Sequence, residues 1–236
     1  VVGTFDFTGS NTLEAQKSVT FESSTSKWGN SSVITVAEGA TLSYENNSEW
    51  ETEGTLTKTG GTMTWDSVVW SLEGGTTYSS DTPIKTETLS LNNYLLTLAS
   101  AGSDLTVTDN LTFDDSDEKI ITGDADLTLQ GGLTLGGGLL SSTGGTVSLE
   151  KGGVLSGGSF DVTDSTLKLG DNFTKTAGTL TTTDDGTILE LSDNLSVTSN
   201  TAIEVKELEL SNNALTLGSG TTDLTVTDAI TLNSGS

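Results

Sequence analysis

Carboxylates are the one abundant chemically capable group in this sequence. There are 33 Asp and Glu against nine lysines, with no arginine, no His and no Cys. The densest run is Asp114-Asp115-Ser116-Asp117-Glu118, followed by Gly123-Asp124-Ala125-Asp126. Hard cations such as Ca²⁺ take about six to eight oxygen ligands. Asp114, Asp115, Asp117, Asp124 and Asp126 are therefore the candidate calcium ligands. The run does not fit an EF-hand loop, because its Gly and closing Glu are misplaced. It also lacks the Gly-Gly-x-Gly-x-Asp nonapeptide of calcium-loaded solenoids. The competing reading is a solvated turn that opposes aggregation.

Two carboxylates alone can hydrolyse a glycoside. No acid pair recurs from repeat to repeat in a way that builds a cleft, however, and the expectation is a protein that is not an enzyme and needs no cofactor, Ca²⁺ apart. Asn110, Asn172 and Asn194 each begin an Asn-x-Ser/Thr triplet, as do Asn30 and Asn46, and are candidate glycosylation sites. Asn also tolerates left-handed backbone, so the same residues can serve as plain turn formers. All four Trp and all three Tyr fall in the first 94 residues. Trp50 sits in what reads as an inserted loop and is the candidate exposed, glycan-binding aromatic. Trp70 aligns with an inward leucine and is expected in the core.

The elements that would position these residues come from a repeat. Residues 89–113 and 208–232 are identical at 14 of 25 positions, at an offset of 119. The match extends upstream, so a unit of about 120 residues is duplicated, roughly 41–113 and 166–232. Between Thr41-Leu42-Ser43-Tyr44 and the next matching block, the first copy carries eight extra residues around Ser48-Glu49-Trp50-Glu51. A finer period lies inside. Apolar-polar-apolar triplets begin at Leu105, Leu127, Val147, Leu167, Leu189 and Leu208, with spacings of 22, 20, 20, 22 and 19. A second series begins at Leu111, Leu133, Leu195 and Leu215. Two-residue alternation makes each triplet a strand with one buried face. Gly-Gly, Asp-Gly, Asp-Asn and Asn-Asn between them accept positive φ. The spacing predicts an all-β fold, a parallel β-helix (β-solenoid) of 20–22 residues per coil, continuous over residues 1–236. A β-sandwich array would show longer strands and a less regular core pattern.

No run of about 18 apolar residues is present, so no transmembrane segment is expected. The formal charge of −24 opposes binding to nucleic acid. With the coils and runs such as Leu127-Thr128-Leu129-Gln130-Gly131-Gly132-Leu133-Thr134-Leu135 in view, the chain resembles the passenger and stalk regions of bacterial surface adhesins. Autotransporter passengers and filamentous-haemagglutinin-like proteins are the nearest in repeat style. That resemblance implies secretion, a right-handed parallel β-helix, an extracellular place on the cell surface, and a role in attachment. The expected partners are host or cell-surface glycans or proteins or, because the last strand signals carry no cap and a whole block is duplicated, further copies joined end to end in a longer rod or filament.

Overall fold

The computed structural model describes residues 1–7, 9, 11–29, 31–182, 186–199, 201–218 and 223–232. Among them there is no helix, and every strand pairing is parallel. The strands stack into a β-solenoid of about 10 turns with roughly 21 residues each. No helix among the described residues is long and apolar enough to cross a membrane.

Each turn is triangular because each coil carries three short strands separated by bends. From Ile84 onward the first face is built by Leu95–Leu98, Lys119–Ile121, Leu139–Thr143, Ser159–Thr163 and Thr179–Thr181. The second runs through Ile84–Thr86, Leu105–Val107, Leu127–Leu129, Thr146–Leu149, Thr166–Leu169 and Ile188–Leu191. The third runs through Leu111–Phe113, Leu133–Leu135, Gly153–Leu155, Phe173–Lys175, Leu195–Ser199 and Leu215–Leu217. On the second face Leu105 pairs with Leu127, then Val147, Leu167, Leu189 and Leu208 in succession, which is the register the triplet spacing predicts. The outer residues of these triplets are buried and the middle ones are not, as two-residue alternation demands. The third face corrects the second series. Gly153 and Phe173 fill the two rungs between Leu133 and the strand Leu195–Ser199, and Phe173 pairs with Val197.

The N-terminal coils differ in having long strands that run round the bends: Ser31–Glu45, Glu49–Trp65 and Val69–Ser80. Larger side chains fill a wider column there. Trp28, Tyr44, Trp50, Trp70 and Tyr78 are all fully buried. Trp50 has its ring centre 4.4 Å from Trp65, 5.3 Å from Trp70 and 5.8 Å from Tyr78.

This overturns the expectation of an exposed Trp50 on a loop. Glu49-Trp50-Glu51-Thr52 is a rung, pairing with Thr25–Trp28 below and Val69–Leu72 above. Its alternation is that of every other strand, with Trp50 at 0% exposure. The eight extra residues are thus one additional strand and bend. Such an insertion advances the chain by about a third of a turn, and the two copies of the duplicated unit then occupy different faces. Leu215 pairs with Leu195 on the third face, whereas its counterpart Leu96 pairs with Ile120 on the first. Leu208 lies on the second face, whereas its counterpart Leu89 pairs with Trp70 in the column that leads into the third. The three faces are interchangeable because all ask the same of the sequence: apolar inward, polar outward, a tolerant bend between.

Candidate functional site

Many of the polar turn residues stitch one coil to the next. Asp104 Oδ1 accepts the N–H of Asp126 at 2.9 Å, and Asp126 Oδ1 accepts that of Thr146 at 2.7 Å. Asn110 Oδ1 accepts the N–H of Gly132, and Asn194 Oδ1 that of Ala214, both at 2.7 Å. Each reaches a backbone donor one coil further on, at the point where a strand begins and its N–H would otherwise face water. Asn172 donates its own N–H to Asp171 Oδ1 at 2.7 Å. Asn110, Asn172, Asn194 and Asn46 are all exposed, while Asn30 lies outside the described residues.

The five candidate calcium ligands are not brought together. Asp114, Asp115 and Asp117 lie on the bend from the third face to the first, and Asp124 and Asp126 on the bend from the first to the second. The strand Lys119–Ile121 separates them. Among the described residues no group of three or more acidic side chains is placed to hold a metal ion.

The acidic bend is nonetheless distinctive. Phe113 and Ile120 are seven positions apart, whereas Leu135 and Leu140, and Leu155 and Phe160, are five apart at the same corner one and two coils on. The two extra residues make an overhang. Glu118, 6% exposed, folds back under it. Its Oε2 accepts the N–H of Asp114 at 2.7 Å and of Asp115 at 3.2 Å. Asp115 Oδ1 accepts the N–H of Asp117 at 2.9 Å. On the neighbouring coil Asn92 and Asn93, at φ 50° and 67°, form a tight turn closed by the Tyr94 N–H on Leu91 O at 2.9 Å. Between overhang and turn lies a recess of about 540 Å³ lined by Asn92, Asn93, Asn110, Thr112, Asp114 and Glu118.

A second feature escaped the sequence reading. Lys58 is 1% exposed. Its ammonium donates to Gly60 O at 2.5 Å, Gly61 O at 3.0 Å, Asp81 Oδ1 at 2.8 Å and Thr82 Oγ1 at 2.9 Å. Asp81 Oδ2 also accepts the Gly60 N–H at 2.7 Å. Partial burial pushes the Asp81 carboxyl up, but the hydrogen bonds from Lys58 and Gly60 outweigh it and hold the group below its usual range. Both glycines have positive φ, and a Cβ on Gly60 would stand 2.3 Å from Val36 O. The signal was available: Leu56-Thr57-Lys58 puts Lys58 on the inward parity. Its counterpart Lys175, 3% exposed, is buried on the same parity. Elsewhere burial pushes the Tyr44 and Tyr78 phenols well above their ordinary range. Comparison of the chain with protein-family models, with curated proteins and with solved structures finds no match.

Proposed function

We propose that this chain is an extracellular structural and adhesive rod that works at a cell surface through its outer faces and not by catalysis. The observation that carries the reading is the second face, stacked in parallel from Ile84 through Leu105 to Leu208 and on to Ile230 with one register shift among these pairings, between Val205 and Glu207. At a rung spacing of about 4.8 Å, about 10 turns extend on the order of 50 Å. The interior is a packed column, so the side chains that can meet a partner line the faces and corners. The resemblance to adhesin passengers in repeat style supports the same reading.

Growth end to end belongs to this proposal. Parallel ladders join each coil to the next along all three faces, and a second copy stacking on a rung would use the same bonds. The charge of −24 opposes the contact until salt or divalent cations screen it. Light scattering and negative-stain microscopy across a salt and calcium series test this: assemblies should lengthen with ionic strength, and single rods under every condition would count against self-association. The glycan-binding alternative is favoured by one observation, the recess beneath the acidic overhang.

A further inference from the structure

We infer that the recess beneath the Asp114–Glu118 bend is a binding site for an uncharged sugar, held through neighbouring hydroxyls. This gives the adhesive rod a ligand and rests on that reading. The inference starts from which polar groups are already used. Asp104, Asp126, Asn92 and Asn194 spend their side chains on the fold; Asn92 Nδ2, for instance, donates to Ser71 Oγ and Leu72 O, both at 3.0 Å. Ser90, also on the lining, donates its hydroxyl to Asn92 Oδ1 at 3.3 Å, whereas the other polar groups of the recess are not so engaged. Among the described residues, the Asn93 amide, the Asn110 Nδ2, the Thr112 hydroxyl and the Asp114 carboxylate have no hydrogen-bond partner, and neither has the Oε1 of the deeply set Glu118.

Glu118 is the decisive member. It is more than nine-tenths buried, one oxygen is fixed by two backbone N–H groups, and the other is left to the recess. The mixture then selects the ligand. A metal ion wants acceptors only, and Asn110, whose Oδ1 already holds the Gly132 N–H, presents an NH₂ that opposes it. An anion wants donors only, and two carboxylates in a chain of charge −24 repel it. A sugar hydroxyl both donates and accepts, so a vicinal pair can bridge a carboxylate oxygen and an amide NH₂. Glu118 and Asn110, each already anchored by one oxygen to backbone N–H groups, lose little entropy on binding. The site exists because the bend is two residues longer than its equivalents, and the following coils have no such overhang.

The experiment is a solution titration of the full chain with neutral hexoses and their short oligomers, followed by amide NMR shifts. Saturable shifts should cluster at residues 92–93 and 110–118. Asn93→Gly keeps the positive φ and removes the amide; Thr112→Val keeps the shape and removes the hydroxyl. Each should weaken binding by roughly five- to tenfold, the value of about one hydrogen bond. Thr134→Val, one coil on at the same face, should change nothing. Circular dichroism confirms that each variant is folded. Binding unaltered in both recess variants, shifts elsewhere, or a response to calcium with none to sugar would overturn the site. Attachment of the rod to sugar-coated surfaces that survives both substitutions would sink the recess and leave the adhesive reading standing. Sugar binding at the recess without surface attachment would do the reverse.

Discussion

Replacing Lys58 by Met should destabilise the N-terminal coils out of proportion to the loss of one surface-type residue. Met fills much of the volume, so the cavity cost is small. What disappears is an ammonium that satisfies Gly60 O, Gly61 O, Asp81 Oδ1 and Thr82 Oγ1 at 2.5–3.0 Å. Breaking a fully buried ion pair costs about 3–5 kcal/mol. Here the Asp81 side chain is 49% exposed and can rehydrate, which removes part of that. The two carbonyls lose their buried donor and keep their desolvation cost, about 1–3 kcal/mol per stranded group at most. A net loss of about 2–3 kcal/mol follows, or about 5–10 °C in Tm for a chain of this length. The assay is urea and thermal unfolding followed by tryptophan fluorescence, since all four Trp lie between residues 28 and 70. Lys168→Met is the control. Lys168 is 36% exposed in an ion pair with Glu190, and its loss should cost less than about 1 kcal/mol. Equal shifts from the two substitutions would refute the buried-ammonium account.

Three further outcomes follow from the same geometry. Leu167→Asp should unfold the neighbouring rungs, because it buries an unpaired charge at a position 3% exposed, while Lys168→Thr beside it should be nearly silent; circular dichroism melts separate them. Gly60→Ala should destabilise by more than about 2 kcal/mol in the same urea assay, because positive φ and a 2.3 Å approach to Val36 O both oppose the methyl group, whereas Gly39→Ala meets nothing within 4 Å and should cost only about 1 kcal/mol for its φ. Because Asp81 is held below its ordinary value of 3.8, its contribution is fully present above that pH and is lost as pH falls through the lower folded value; wild type should therefore lose stability below about pH 4 more steeply than Asp81→Asn in pH-resolved thermal melts.

The coil was legible in the sequence because a solenoid writes its register into short-range spacing. Leu105, Leu127 and Val147 recur at one coil length, and the strands pair at that length. The N-terminal half was harder to read. There the bends are made by chain that stays extended: Glu49–Trp65 runs as one strand through Gly60-Gly61, and only the single Gly54 marks the bend after the Trp50 rung. Trp50 was misplaced for that reason: eight residues gained relative to a copy look like a loop, although eight residues are also one strand plus one bend. The acidic run was visible, but its geometry was not. Whether Asp114 and Asp126 share a site depends on which corner each occupies, and that follows only once Lys119–Ile121 is known to be a strand between them. Composition alone assigns a lysine such as Lys58 to the surface, whereas the parity of Leu56-Thr57-Lys58 and its buried counterpart Lys175 both point inward.

The claim that the chain acts by holding on through its outer surface is tested most directly by one measurement. Purified chain is coupled to beads, the beads are presented to a panel of surface polysaccharides, and both retained beads and newly released reducing ends are counted. The account predicts retention that saturates with sugar density, falls with Asn93→Gly, and is accompanied by no release of reducing ends above that of uncoated beads. Release that scales with the amount of chain would contradict it, and so would beads that hold to nothing on the panel.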